Sequence, residues 1–182
     1  MEEQEAISWL KRGDIGGLEF LVRRYQHEAL TVAVLITRDY AAAEDLVQAA
    51  FLRAFERIDQ YDAARPFAPW FLRGVINDAR KAATRHRHLP LYAAAQHPGA
   101  EDADGAVSLA AAETREALGR ALDQLTPGQR ATIVARYYLE LSERETARHL
   151  AIPSGTVGRR LHDARRRLRQ LLPLWVRPND GE

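Results

Sequence analysis

The chain has 182 residues, 46% of them hydrophobic and 28% charged, with a net charge of +1 and no cysteine. Such a composition suits a globular protein of one large domain or two small ones, and the missing thiols exclude disulfides, cysteine nucleophiles and thiolate-bound zinc. No apolar run approaches bilayer-spanning length, and Glu2, Glu3 and Glu5 are unlike a basic secretory leader, so no membrane insertion and a cytoplasmic location are expected.

In chain order, the periodicity first predicts a long helix capped by Asp14, with Leu18, Leu21, Val22, Tyr25, Ala29, Val32 and Ile36 inward. A second helix begins near residues 39–41 and turns Val47, Ala50, Phe51, Ala54, Phe55 and Ile58 inward. Residues 59–65 are polar and break the periodicity. Pro66 and Pro69 then fall in the first turn of a third helix, which carries Phe67, Trp70, Phe71, Val75 and Ala79 and ends near Arg87. No stretch alternates with period two for long, which argues against strands.

Residues 88–107, with Pro90, Pro98, Gly99, Gly105 and three acids, read as a linker, since they show no sustained apolar stripe. A helix from Ser108 to Gln124 with Leu109, Ala112, Leu118, Ala121 and Leu122 inward follows, and Leu125 lies just beyond it. Two capping boxes come next. Thr126 with Gln129 and Ser142 with Glu145 each place a hydroxyl three residues before an amide or carboxylate that can reach back, and Pro127 sits where a helix needs no donor. Pro153 stops the second of these helices from continuing, and Ser154 offers an N-cap for a last helix to Leu172. There Val157, Leu161, Ala164, Leu168 and Leu171 form one buried stripe. The other faces carry Arg159, Arg160, Arg165, Arg166, Arg167 and Arg169 against one acid, Asp163.

A basic outer face on the second helix of a helix-turn-helix frame points to the major groove of DNA. The plain alternative, a merely solvated arginine-rich face, leaves the preceding capped helix and four-residue turn unexplained. Charge is segregated elsewhere too: Arg80, Lys81, Arg85 and Arg87 form a second basic stretch, and Glu101, Asp102 and Asp104 lie between the two. The histidines show no ligand spacing, so no metal or other cofactor is expected.

Several of these segments together resemble the extracytoplasmic-function (ECF) group of the sigma-70 family of bacterial sigma factors. They are Ala43-Glu-Asp-Leu-Val-Gln48, Phe51-Leu-Arg-Ala54, Tyr61-Asp62, Pro69-Trp-Phe-Leu72, Asn77, and the stretch from Leu125-Thr-Pro to Gly155-Thr-Val157 and Leu161. The resemblance covers about residues 14–172 and keeps its parts in order. It implies an all-α fold: a region 2-like domain at 1–87, the linker, a region 4-like domain at 108–172 and a short tail at 173–182. It also implies a protein that binds core RNA polymerase and promoter DNA, does no covalent chemistry and takes no small-molecule substrate; an anti-sigma protein is implied by analogy.

Carried onto this chain, the resemblance places polymerase contacts at Asp45, Leu46, Gln48 and Leu52. Leu46 and Leu52 fit the inward stripe less well than Val47 and Phe51, so two readings stand: a partner surface, or packing against a neighbouring helix. The loop at 59–65 and the following helix resemble the reader of the downstream (−10) element, with Asp62, Arg65, Arg73, Asn77, Arg80 and Lys81 as its residues. Trp70 lies on the apolar stripe and is read as core rather than as a stacking platform. In the last helix, Thr156, Arg160 and Arg165 would hold phosphates of the upstream (−35) element, while Gly158, Arg159, His162, Asp163 and Arg166 would face its bases. The chain departs from the family pattern at Ala49, Gly74 and Gly158; expected effects are weaker polymerase affinity, looser packing of the first lobe and an altered promoter preference. A stand-alone helix-turn-helix regulator that does not bind polymerase is the second reading. An enzyme is the third and weakest, because the acid pairs Glu44/Asp45 and Asp102/Asp104 lack any nucleophile or phosphate loop beside them.

Overall fold

The structure is a computed structural model that describes residues 2–86 and 109–172. The expected linker at 88–107, the tail at 173–182, Arg87 and the surroundings of Leu109 and Ala112 lie outside the described residues. The chain divides into two compact units, 1–94 and 95–182. All regular elements among the described residues are helical.

The first unit contains α1 (Glu3–Lys11), α2 (Gly16–Thr37), α3 (Tyr40–Glu56), a 3-10 turn (Ile58–Gln60) and α4 (Phe67–His86). The sequence reading missed α1. Its signal is short: Ala6, Ile7 and Leu10 share one face and are buried, while Glu3 and Glu5 favour the positive N-terminal end of the helix. Asp14 does help start α2, but from outside the cap position. Its carboxylate accepts the Gly16 N–H at 2.8 Å, and Ile15 precedes the helix. α3 starts within the expected 39–41, and Asp39 caps it, accepting from the Ala42 N–H.

The inward stripes meet in an aromatic core. Phe67 is fully buried and touches Tyr25, Tyr61, Trp70 and Phe71, with centroid distances between 5.5 and 5.6 Å, and Phe71 packs at a tilt 4.5 Å from Phe51 of α3. Trp70 is half-buried and packs 5.4 Å from Tyr61. Ile58 is buried as predicted, though it belongs to the 3-10 turn rather than to α3. At Gly74 an added Cβ would meet nothing within 4 Å, so its lack of a side chain leaves no hole in the core and the expected loosening does not follow.

The second unit contains α5 (Leu109–Asp123), α6 (Pro127–Ile133), a π-helical turn (Val134–Tyr138), α7 (Glu143–Leu150) and α8 (Ser154–Leu171). Both capping boxes are closed. Thr126 and Ser142 accept the N–H of Gln129 and Glu145 at 3.2 Å, and those side chains accept the Thr126 and Ser142 N–H at 2.8 and 2.9 Å. Ala121, Leu122 and Leu125 are buried, but Leu118, one turn earlier and expected inward, is 43% exposed. The end of α5 is gripped by the buried Arg130, whose guanidinium donates to the Leu125 carbonyl at 2.9 Å and the Leu122 carbonyl at 3.4 Å. Leu171, also expected inward, lies at the last position of α8 and is 38% exposed.

Two changes probe this framework. A Cβ at Gly17 would lie 2.2 Å from the Ala6 carbonyl oxygen, so α1 crosses α2 where only a glycine fits. Gly17→Ala is expected to destabilise the first unit by about 1–3 kcal/mol in urea unfolding. Ser142→Ala should cost about 1 kcal/mol in the second unit. The Ser142 hydroxyl and N–H hold the Glu145 carboxyl below its ordinary range. A folded-state pKa below the unfolded one stabilises at neutral pH and is lost as pH falls through the lowered value, so Ser142→Ala should also flatten stability between those two pH values.

Candidate nucleic-acid and polymerase interfaces

The inward stripe of α3, with Ala43, Val47, Ala50, Phe51 and Ala54 buried, decides what its other side presents. Asp45, Gln48 and Leu52 stand three and four residues apart, so they share one face, and all three are exposed. Leu52 is 55% exposed, which settles it as surface rather than core, whereas Leu46 is half-buried at the edge of the stripe. Ala49 is half-buried beside it. An exposed leucine flanked by an acid and an amide is a surface suited to a protein partner.

On α4, Arg73, Asn77 and Arg80 recur at helical spacing and Lys81 adjoins them. Arg73 and Lys81 are exposed; Asn77 and Arg80 are half-buried. Asn77 Nδ2 donates to the Arg73 carbonyl at 2.9 Å. Within this stripe Asp78 accepts Arg53 of α3 at 2.7 Å and lies 3.9 Å from Lys81, pinning the helices together at their surface. The preceding loop is more ordered than its polar sequence suggests. Asp62 Oδ1 accepts the Ala64 N–H at 3.0 Å, Arg65 Nε lies 3.3 Å from Asp62 Oδ2, and the Tyr61 hydroxyl donates to the Arg65 carbonyl. Burial first, then the charges of Glu3 and Asp62, raise the Tyr61 phenol above its usual pKa, so it remains a donor. Residues 62–66 are all exposed.

In the second unit α7 and α8 pack through Ala147, Val157 and Leu161, with Ile133 and Ile152 closing the cluster. The turn between them works through Ala151, which takes the left-handed conformation (φ 52°) that closes a helix end; Ile152 N–H then reaches back to the Ala147 carbonyl at 3.0 Å. Ser154 does not cap α8. Pro153 holds that position with its carbonyl receiving the Thr156 N–H, and Ser154 is the first helical residue, because the extended chain after Ala151 brings the proline there.

The arginines of α8 do not all point outward, contrary to expectation. Arg160 adjoins the buried Leu161 and lies at the stripe's edge, so its guanidinium covers Gly128 of α6: a Cβ there would sit 3.1 Å from its Cζ. Arg165 is exposed, yet its Nε donates to the Tyr137 hydroxyl at 2.6 Å and its guanidinium lies over that ring. Arg167 donates to Gln124 at 3.2 Å, and Arg166 stands 3.9 Å from Asp163. Of the residues expected to face bases, Arg159, His162 and Arg166 are exposed, while Gly158 and Asp163 are half-buried; the Gly158 position borders Glu143 of α7. Thr156 is half-buried as well. Tyr137 was missed in the sequence, where two adjacent tyrosines give no periodic signal; the π-helical turn leaves it 51% exposed beside α8.

Among the described residues no helix is long and apolar enough to cross a membrane, and no cluster of three or more side chains could hold a metal ion. A capped helix, a left-handed turn and a second helix with exposed arginine define a helix-turn-helix protein. Comparison with known proteins sharpens that class. The Sigma-70 region 2 family matches residues 21–88, and Sigma-70 region 4 matches residues 115–168. The ECF RNA polymerase sigma factor SigW of Bacillus subtilis is 30% identical over 184 residues, spanning 93% of this chain and 96% of its own. The ECF RNA polymerase sigma factor SigL of Mycobacterium tuberculosis is 35% identical over 144 residues, spanning 77% of this chain and 80% of its own. Two solved structures share the fold. CnrH, in complex with the cytosolic domain of CnrY, aligns with a TM-score of 0.66 at 22% identity over 96% of this chain and 99% of its own. The sigma factor RpoE of Bartonella quintana, in complex with the anti-sigma factor NepR, aligns at 0.68 and 21% identity over 87% of this chain and 98% of its own. The chain belongs to the ECF RNA polymerase sigma factors.

Replacing Gln48 and Leu52 together by Ala tests the α3 face. Both side chains are exposed, so helical circular dichroism should be unchanged while affinity for core polymerase falls by at least about tenfold. A loss of helicity would return them to the core.

Proposed function

We propose that this sigma factor binds bacterial core RNA polymerase through the exposed face of α3 and directs it to promoters through two DNA-reading surfaces. Residues 1–87 act as the polymerase-binding and −10 domain, and residues 108–172 as the −35 domain. The observation that carries this reading is the outward triplet Asp45, Gln48 and Leu52 in the same chain as a capped helix-turn-helix. A stand-alone DNA-binding regulator has no use for the first.

In the first unit, Arg73, Asn77, Arg80 and Lys81 supply the basic stripe along which a single strand tracks, and the exposed loop with Asp62 and Arg65 supplies the contacts to an unstacked base. Opening a duplex without fuel requires that the open strand be bound better than the paired one, and positive charge beside a shaped loop does this. In the second unit, Arg159, His162 and Arg166 are the base-facing side chains of α8. The amides of its first turn, which no side chain caps, suit a phosphate together with Thr156. Arg165 reaches a phosphate with Tyr137 fixing its direction. Arg160 acts mainly by holding α8 on α6. The protein works in the cytoplasm with polymerase, by binding rather than by making or breaking bonds, and an anti-sigma protein is a further partner of the kind seen with RpoE of Bartonella quintana.

The division of labour in α8 predicts different outcomes for two neighbours. Arg159→Ala should change the preferred base at one or two upstream positions with no loss of stability. Arg160→Ala should lower the unfolding midpoint of the second unit and weaken all upstream sequences alike. Selection from a randomised upstream element, paired with thermal unfolding, distinguishes them; identical profiles would contradict the assignment.

A further inference from the structure

We propose that Lys11 is a positioning residue for promoter reading: from the end of α1 it fixes the peptide that aims Asp62 and Arg65. The inference rests on the assignment of the 62–65 loop as the reader of the −10 element.

Tyr61 ties both ends of the loop. Tyr61 is buried to 2% exposure, and its ring is held 5.5 Å from Phe67 and 5.4 Å from Trp70. Its N–H donates to the Ile58 carbonyl at 3.0 Å, and its hydroxyl donates to the Arg65 carbonyl at the far side of the loop. One acceptor remains, the Tyr61 carbonyl, which belongs to the peptide leading into Asp62. Lys11 Nζ donates to that oxygen at 3.1 Å, and the ammonium lies 5.9 Å from the centre of the Tyr61 ring. The ring therefore fixes where the loop starts, and Lys11 fixes the orientation of its first peptide.

Inside the loop, Asp62 accepts the Ala64 N–H and pairs with Arg65, and Arg65 N–H donates to the Asp62 carbonyl at 3.0 Å. These bonds make 62–65 a compact turn whose far end is tied by the Tyr61 hydroxyl to the Arg65 carbonyl and runs into the buried Phe67, so the Tyr61–Asp62 peptide at its near end sets how both reading side chains are presented. At that near end the hold on the peptide carbonyl is Lys11. Gly17 provides the reach, because the close crossing of α1 on α2 sets where the end of α1 lies. A positive charge also suits the C-terminal end of α1. That role would persist in any orientation of the side chain, whereas the bond across 50 residues of sequence requires this one.

Without the ammonium the Tyr61 ring and the core stay, so the fold is retained while the loop's direction relaxes. The test uses the full chain with core polymerase on promoters with a randomised −10 element, comparing Lys11→Met, Lys11→Arg, Asp62→Ala and Arg65→Ala. Lys11→Met should keep helical content, unfolding midpoint and polymerase affinity. It should lose about fivefold in discrimination at the base positions that Asp62→Ala or Arg65→Ala alter, and Lys11→Arg should restore most of it. Unchanged discrimination in Lys11→Met while the loop variants shift the preference overturns the role of Lys11 and leaves the loop reading intact. Failure of Lys11→Arg to restore discrimination overturns the hydrogen bond as its cause. Unchanged preference in both loop variants overturns the loop reading and this inference with it.

Discussion

The first unit depends on the burial of Phe67. It is the first residue of α4, and it meets Tyr25 of α2, Tyr61 of the 3-10 turn, and Trp70 and Phe71 of its own helix. Through Phe71 the same cluster reaches Phe51 of α3. Packed aromatic rings bury more surface than any other side chains and constrain angles as well as distances. Pro66 and Pro69 place this cluster at the start of α4, where missing donors cost nothing. Consequently the opposite stripe of α4 and the outer face of α3 have fixed directions, and the turn at 62–65 has fixed ends, although none of them is itself well packed.

The second unit is set by backbone geometry more than by bulk. Its buried side chains are small or few: Ala131, Ala135, Ala147 and Ala164 among Leu122, Leu125, Leu150, Val157 and Leu161. Short helices of seven and eight residues would be marginal alone, and the two capping boxes, the left-handed Ala151 and the Arg130 clamp fix where each begins and ends. Arginine serves both purposes here. Arg130 and Arg160 hold helices together, while Arg159 and Arg166 stay at the surface. A count of basic residues along α8 therefore overstates the charge available to DNA.

Much of this was legible in the sequence because helix ends and apolar stripes are local signals. The capping boxes at Thr126 and Ser142, the start of α3 near residue 39, and most of the inner faces of α2, α3 and α4 follow from spacing alone, while Trp70, read as core, is half-buried against Tyr61 and Phe67. What spacing could not supply is contact across the chain. Arg160 was expected outward because its own helix places it off the main stripe; its partner, Gly128, is 32 residues away and offers room only because it lacks a side chain. Arg130 and Lys11 carry no periodic signal, since each acts on a backbone carbonyl of another segment. Helix α1 was missed because nine residues hold little more than two turns, with one apolar pair and Leu10 to mark the buried face. The exposed Leu118 and Leu171 show the same limit: a stripe states which residues can be buried, and tertiary packing decides how far along the helix burial runs.

Membership of the ECF sigma factors joins these two units to one task, for which we propose the outer face of α3 as the partner surface and the two basic faces as the DNA surfaces. Departures from the family pattern at Ala49, Gly74 and Gly158 fall at half-buried or open positions, so they leave the cores intact. The most direct test of this account is run-off transcription by bacterial core polymerase, with and without the purified chain, from a library of random promoter sequences. The account predicts transcripts that require the chain and start downstream of a shared two-part sequence. Core polymerase that gains no selective initiation from a folded chain, or a chain that binds one duplex site equally well with polymerase absent, would contradict it.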